Sequence, residues 1–211
     1  ILVIPGILRL YGEAIYGQYS LAITIVQTVG AFFSAWLGRS FMRYYTDQGG
    51  KAYFQARYDR ILYFFLVPIA GLILACLAGL GYHFSTILLG VFCGFLLTAY
   101  SYTSLKFQTL LKSGGVLLSE IVRSVLFFGL VIGLYYAFDN EAYRKINLIL
   151  VSNFIAFAAG NLLFFLYRRR RLNKEHHAPK SVAGNPERDK AIRKQLTQYG
   201  LPLALWMIGA F

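Results

Sequence analysis

Glu120 and Arg123 are the two ionisable residues that fall clearly inside a long apolar run of this 211-residue chain. Three residues apart in a helix, they occupy neighbouring positions on one face. A charge near the centre of a bilayer costs roughly 2.5–3.5 kcal/mol on insertion scales, so the pair needs a reason to be there. One reason is an internal ion pair that steadies a bundle. The other is a charged cavity wall on which Arg123 is free to meet an anion. More arginines stand at the ends of apolar runs. Arg39 and Arg43 are one helical turn apart. They either anchor a helix end at the interface or gather phosphate, which a planar guanidinium grips bidentately. Arg9 is basic where basic residues are otherwise scarce. It either snorkels to head groups or helps to hold an anionic ligand.

Uncharged polar residues add a second chemistry. Ser20, Thr24, Gln27, Ala31, Ser34 and Gly38 follow steps of four and three, so they share one helical face. Such a face in a membrane helix meets another helix or a water-filled cavity. Asn153, Thr98, Ser101 and Gln108 offer further lining, and an interhelical hydrogen bond explains each equally well. Cys76 and Cys93 sit within apolar runs as packing residues, and adjacent His176 and His177 are too few to hold a metal. No nucleophile elbow, zinc-protease motif or phosphate-binding glycine loop is present. The expectation is a non-enzymatic protein that needs neither cofactor nor metal.

The elements that position these residues are membrane helices. The chain is 57% hydrophobic and 14% charged, with a mean hydropathy of +0.54, too apolar for an ordinary soluble domain. Five runs, at 15–37, 61–81, 86–108, 116–138 and 146–167, each supply about 20 or more mostly apolar residues. That is enough to cross about 30 Å of hydrocarbon. Seventeen of the 21 Lys and Arg residues fall in alternate connections, at 39–60, 106–112 and 168–194. The positive-inside rule makes those connections cytoplasmic, and the expected location is the inner, cytoplasmic membrane. The net charge of +12 is therefore spent on topology and anionic membrane lipids, and nucleic acid is not expected as a partner. Ten tyrosines, at 11, 16, 19, 44, 45, 58, 82, 143, 167 and 199, lie near predicted span ends, the depth that amphipathic rings prefer. Small residues repeat at spacing four in Gly71/Ala75/Gly79, Gly90/Gly94, Gly129/Gly133 and Ala156/Gly160, which predicts close helix approach.

The first apolar run, 1–10, and the last, 199–211, are too short to span, as expected of helices that continue past the ends of this chain. The expected organisation is a transmembrane lobe at 1–167, holding the end of helix one and helices two to six. A basic linker at 168–198 and the start of helix seven at 199–211 follow.

The stretch 4–45 resembles the polysaccharide flippases of the multidrug/oligosaccharidyl-lipid/polysaccharide exporter superfamily. The residues that carry the likeness are Pro5, Arg9, Leu10-Tyr11-Gly12-Glu13, Tyr16-Gly17-Gln18-Tyr19-Ser20-Leu21, and Leu37-Gly38 followed by Arg43-Tyr44-Tyr45. Tyr199-Gly200-Leu201-Pro202-Leu203 is similar to the opening of helix seven in that family. Glu13-Ala14-Ile15 departs from the more usual acidic run before Tyr-Gly. The likeness in motif covers about the first fifth and the last 13 residues. It implies an all-α polytopic helix bundle that is the first six-helix lobe of a two-lobed transporter. The implied cargo is an oligosaccharide on polyprenyl pyrophosphate, moved by alternating access for cell-surface polysaccharide synthesis beside polysaccharide polymerase machinery. Arg9, Arg39, Arg43 and Arg123 would then serve the pyrophosphate, and Gln27 with the Ser20/Thr24 face the sugars. A drug/cation antiporter of the same superfamily, a peptidoglycan-precursor flippase and a non-transporting membrane scaffold are the alternatives.

Overall fold

A computed structural model describes residues 3–45, 51–110, 113–138, 142–172, 190–192, 194, 198 and 202. Within these, six helices follow in order: α1 (Val3–Tyr11), α2 (Glu13–Tyr44), α3 (Lys51–Gly79), α4 (Phe84–Thr109), α5 (Ser113–Ala137) and α6 (Ala142–Leu172). Five are long and apolar enough to cross a membrane: α2, α4, α5, the Ala56–Gly79 part of α3 and the Ile146–Tyr167 part of α6. These are the five expected spans, and they make the chain an all-α, multi-pass membrane protein.

The helices overrun their apolar stretches. The apolar part of α2 ends at Leu37, yet the helix continues to Tyr44, and α3 begins at Lys51 rather than at 61. Apolarity marks the hydrocarbon slab, whereas the backbone ladder continues into water wherever nothing breaks it. The segment expected to begin the linker likewise continues α6 as far as Leu172. Most of the rest of that linker, with His176 and His177, lies outside the described residues, as do Tyr199 and most of the expected start of helix seven at 199–211, and the side chains of Tyr143 and of residues 168–172. Pro68 sits inside α3 without ending it. It removes one backbone donor, which a membrane helix tolerates when neighbours and local adjustment satisfy the freed carbonyl.

Two glycines turn the chain. Gly12 (φ 83°) separates α1 from α2. Gly81 (φ 75°) ends α3: its N–H donates to the Ala78 carbonyl while the Tyr82 N–H donates to that of Leu77. This is the paired-bond cap that glycine makes cheap in left-handed backbone. The Tyr82 hydroxyl then donates to the Gln18 carbonyl at 2.7 Å, pinning this turn to α2, and burial holds its phenol above its ordinary pKa.

Helix α4 is the hub, packed against α2, α3, α5 and α6. Its glycines permit this. A Cβ on Gly94 would lie 2.3 Å from Ile73 Cδ1, and one on Gly90 2.6 Å from Leu77 Cδ1. On α2, Gly30 receives Leu97 and Thr98, and Gly38 receives Leu105. The Gly71/Ala75/Gly79 and Gly129/Gly133 sets behave differently, whereas Gly160 of the Ala156/Gly160 pair meets Tyr100 closely. Gly71, Gly79, Gly129 and Gly133 have nothing within 4 Å, because α3 and α5 turn those faces outward. Several of the tyrosines near span ends are buried within the bundle. Tyr11, Tyr19 and Tyr58 are buried, and the Tyr11 hydroxyl donates to the Val131 carbonyl at 2.8 Å, joining α1 to α5. A phenol with a bonded hydroxyl sits in the core at little cost.

Candidate functional site

Arg123 lies ten residues into the 25-residue α5. At 1.5 Å per residue that is about 15 Å from the helix start and about 10 Å, or two turns, inside the apolar run that begins at 116. Its Nη2 and Nε donate to Glu120 Oε2 at 2.7 and 3.1 Å. The guanidinium also lies over two rings, 5.1 Å from the centroid of Phe157 on α6 and 5.7 Å from that of Tyr100 on α4. The two rings touch edge to face at 5.7 Å. Arg123 is thus held by a carboxylate on its own helix and by π-faces from two others. Neither charge is sealed in: the side chains of Arg123 and Glu120 are 26% and 42% exposed. A guanidinium has five donors, and the carboxylate uses two.

The seat beneath this pair is a three-helix contact. The Ser119 hydroxyl, one residue before Glu120, donates to the Gly160 carbonyl at 3.2 Å. Gly160 lets the Tyr100 ring approach α6 closely. One turn before Phe157 on the same α6 face, the Asn153 amide donates to the Tyr19 hydroxyl of α2 at 2.5 Å. Asn153 is buried, so it acts as an interhelical tie. Asn161 plays a similar part, donating to Leu96 of α4 at 3.0 Å, and Asn147 links α6 to Thr86 and Ser85 of α4 at 2.8 and 2.9 Å.

The polar stripe of α2 divides. Ser34 and Gly38 are buried, as is Thr98 of α4, whose hydroxyl turns back to the Gly94 carbonyl. These three pack rather than line a cavity. Thr24 and Gln27 stay exposed, with Ser20 half-buried. The division arises because α3 and α4 enclose α2 around residues 33–41 and leave its other half open. Thr28 is also exposed, and Arg39 lies eleven residues further along, about three turns, on the same azimuth. The open face of α2 therefore holds Thr24, Gln27 and Thr28, and buried Ala35 separates it from the exposed Arg39.

The arginines do not converge. Arg9 is exposed in the last turn of α1, where a cation complements the helix dipole. Arg39 and Arg43 are exposed at the far end of α2, with the Arg43 guanidinium 5.8 Å from the Tyr44 ring centroid. The 27 residues between Gly12 and Arg39 span about 40 Å of helix. Arg123 stands between these two levels.

A second charge pair went unrecognised in the sequence. Lys106 of α4 donates to both carboxylate oxygens of Asp59 on α3, at 2.8 and 3.0 Å. The Tyr102 hydroxyl donates to the same carboxylate at 3.2 Å. The Lys106 side chain is 9% exposed and that of Asp59 27%. Lys106 also lies 5.8 Å from the Phe41 ring centroid and 5.9 Å from that of Tyr102. By sequence position it belongs to the basic connection at 106–112. The available signal was a lone Asp at the start of one span and a Lys one turn before the end of the next.

Among the described residues, no group of three or more His, Cys, Asp or Glu side chains is placed to hold a metal ion. Comparison with protein-family models, curated proteins and solved structures returned no match.

Proposed function

We propose that this chain is one lobe of a membrane transporter that moves an amphiphilic anion, an oligosaccharide on polyprenyl pyrophosphate, between leaflets. The observation that carries the reading is Arg123: a cation within an apolar span, oriented by Phe157 and Tyr100 and still partly open. A pyrophosphate oxygen can take the place of Glu120 Oε2 in the guanidinium fork, a geometry that arginine offers to phosphate as readily as to carboxylate. The exposed polar face of α2 then offers Thr24, Gln27 and Thr28 to the sugars, and Arg39, exposed separately at the basic end, meets the phosphate there. The prenyl tail stays in the bilayer. The basic ends face the cytoplasm in this reading, and the membrane is the cytoplasmic one.

The greater exposure of Glu120 favours a second reading, a cation antiporter in which the carboxylate meets the substrate. The two separate on substitution. In cells that carry the full-length protein, Arg9→Ala, Arg43→Ala and Arg123→Ala should each lower glycan export while the protein stays in the membrane. Wild-type export in all three overturns the anion reading. Loss of drug extrusion in Glu120→Gln with normal glycan export establishes the antiporter.

A further inference from the structure

Helices α3 and α6 flank α4 on either side and leave a groove of about 280 Å³ over it. Asp59 and Tyr63 stand on one wall, Asn161 and Phe165 on the other, and Thr103 and Lys106 on the floor. We propose that this groove binds a zwitterionic aminophospholipid from the leaflet at the basic end of the bundle. The proposal does not depend on what the protein transports.

Three observations select the occupant. The first is depth. Asp59 lies three residues into the apolar part of α3 and Lys106 three residues before the end of α4, so both stand at the boundary between hydrocarbon and head groups. The second is where the groove opens. Its rim residues Tyr63 and Phe165 are 70% and 60% exposed, on helix faces that also present Phe64, Val67 and Leu162 outward. In a membrane those faces meet lipid, so the bilayer supplies the occupant and its acyl chain lies against the aromatic walls. The third is charge. The floor holds a cation and an anion 2.8 Å apart, and the anion is the more open of the two. A head group with one phosphate and one primary ammonium matches that pair. The ammonium donates charge-assisted hydrogen bonds to the Asp59 carboxylate, and the phosphate lies toward Lys106 and the Thr103 hydroxyl. An anionic head group brings its phosphate to a carboxylate with no cation of its own to offset the repulsion. A choline head group has the charge but no N–H to donate.

The test uses delipidated full-length protein in detergent, titrated with phosphatidylethanolamine, phosphatidylcholine and phosphatidylglycerol of equal chain length and read by native mass spectrometry. Phosphatidylethanolamine should bind saturably and at least tenfold more tightly than either of the others. Asp59→Asn should reduce that preference to less than threefold. Thr103→Trp, which fills the groove and leaves the ion pair intact, should abolish binding. Equal affinity of wild-type protein for the three lipids overturns the proposal without recourse to any variant. So does undiminished phosphatidylethanolamine binding to Thr103→Trp.

Discussion

Replacing Gly160 with Ala tests how closely the seat of Arg123 is packed. An added Cβ would lie 2.6 Å from Tyr100 Cε2, 3.0 Å from Cδ2 and 3.2 Å from Ser119 Oγ. Carbon atoms settle at about 3.5–4.0 Å, so the ring must retreat by about 1 Å. It has little room to do so. Tyr100 is buried and packs against Phe157 and Phe164 at 5.7 and 5.4 Å between centroids. Overpacking of this kind costs about 1–3 kcal/mol, against which Ala returns about 1 kcal/mol of helix propensity. The expected net effect is a loss of up to about 2 kcal/mol. Gly129→Ala, with nothing within 4 Å, is the control and should be neutral or stabilising. The assay is reversible unfolding in mixed micelles for both variants and for Gly160→Ala combined with Tyr100→Leu. Smaller Leu has room to yield, so the double variant should lose less than the two single losses added together. Equal stabilisation by Gly160→Ala and Gly129→Ala would refute the close approach of α4 and α6. The ring displacement should also weaken whatever Arg123 binds, because Tyr100 is one of its two aromatic supports.

Further outcomes follow from the other ties. Tyr19→Phe removes the acceptor of the Asn153 amide and should cost about 0.6 kcal/mol, at most about 1.7, in the same unfolding assay. Lys106→Met removes the ammonium that bonds both Asp59 oxygens and should destabilise by up to about 3 kcal/mol, the lower end for a broken buried pair, because Asp59 is partly open. The double variant Lys106→Met/Asp59→Leu should recover most of that loss. Topology is read by cysteine labelling in intact cells. His83→Cys, at the sparsely charged turn, should react with an impermeant maleimide, whereas Ser113→Cys should react only after permeabilisation. The reverse pattern would invert the orientation.

The spans were legible because length and apolarity are what the bilayer itself selects. Helix ends were less so, since the turns beyond Leu37 and before Ile61 are polar and still helical. The charged pair on α5 was legible from its spacing alone, and its Arg–Glu bond follows from that spacing. Its aromatic supports were not. Tyr100 and Phe157 are 57 residues apart, and nothing in an apolar run marks which ring faces a given arginine. The division of the α2 stripe was hidden for a related reason. Periodicity identifies a shared face but not which neighbour covers part of it, and α3 and α4 enclose only the half near the basic end. Asp59 and Lys106 were obscured by their company. Each lies among residues that orient the chain, and only the approach of α3 to α4 shows that these two bond each other.

Ligand binding by Arg123 is the central claim, and its most direct measurement is equilibrium binding of a polyprenyl pyrophosphate to purified full-length protein. Wild type should bind it saturably. Arg123→Ala should weaken binding by at least tenfold, and Arg123→Lys, which keeps the charge but loses the planar fork, should fall between the two. Undiminished affinity in Arg123→Ala would contradict the account and leave the Glu120–Arg123 pair as a structural tie.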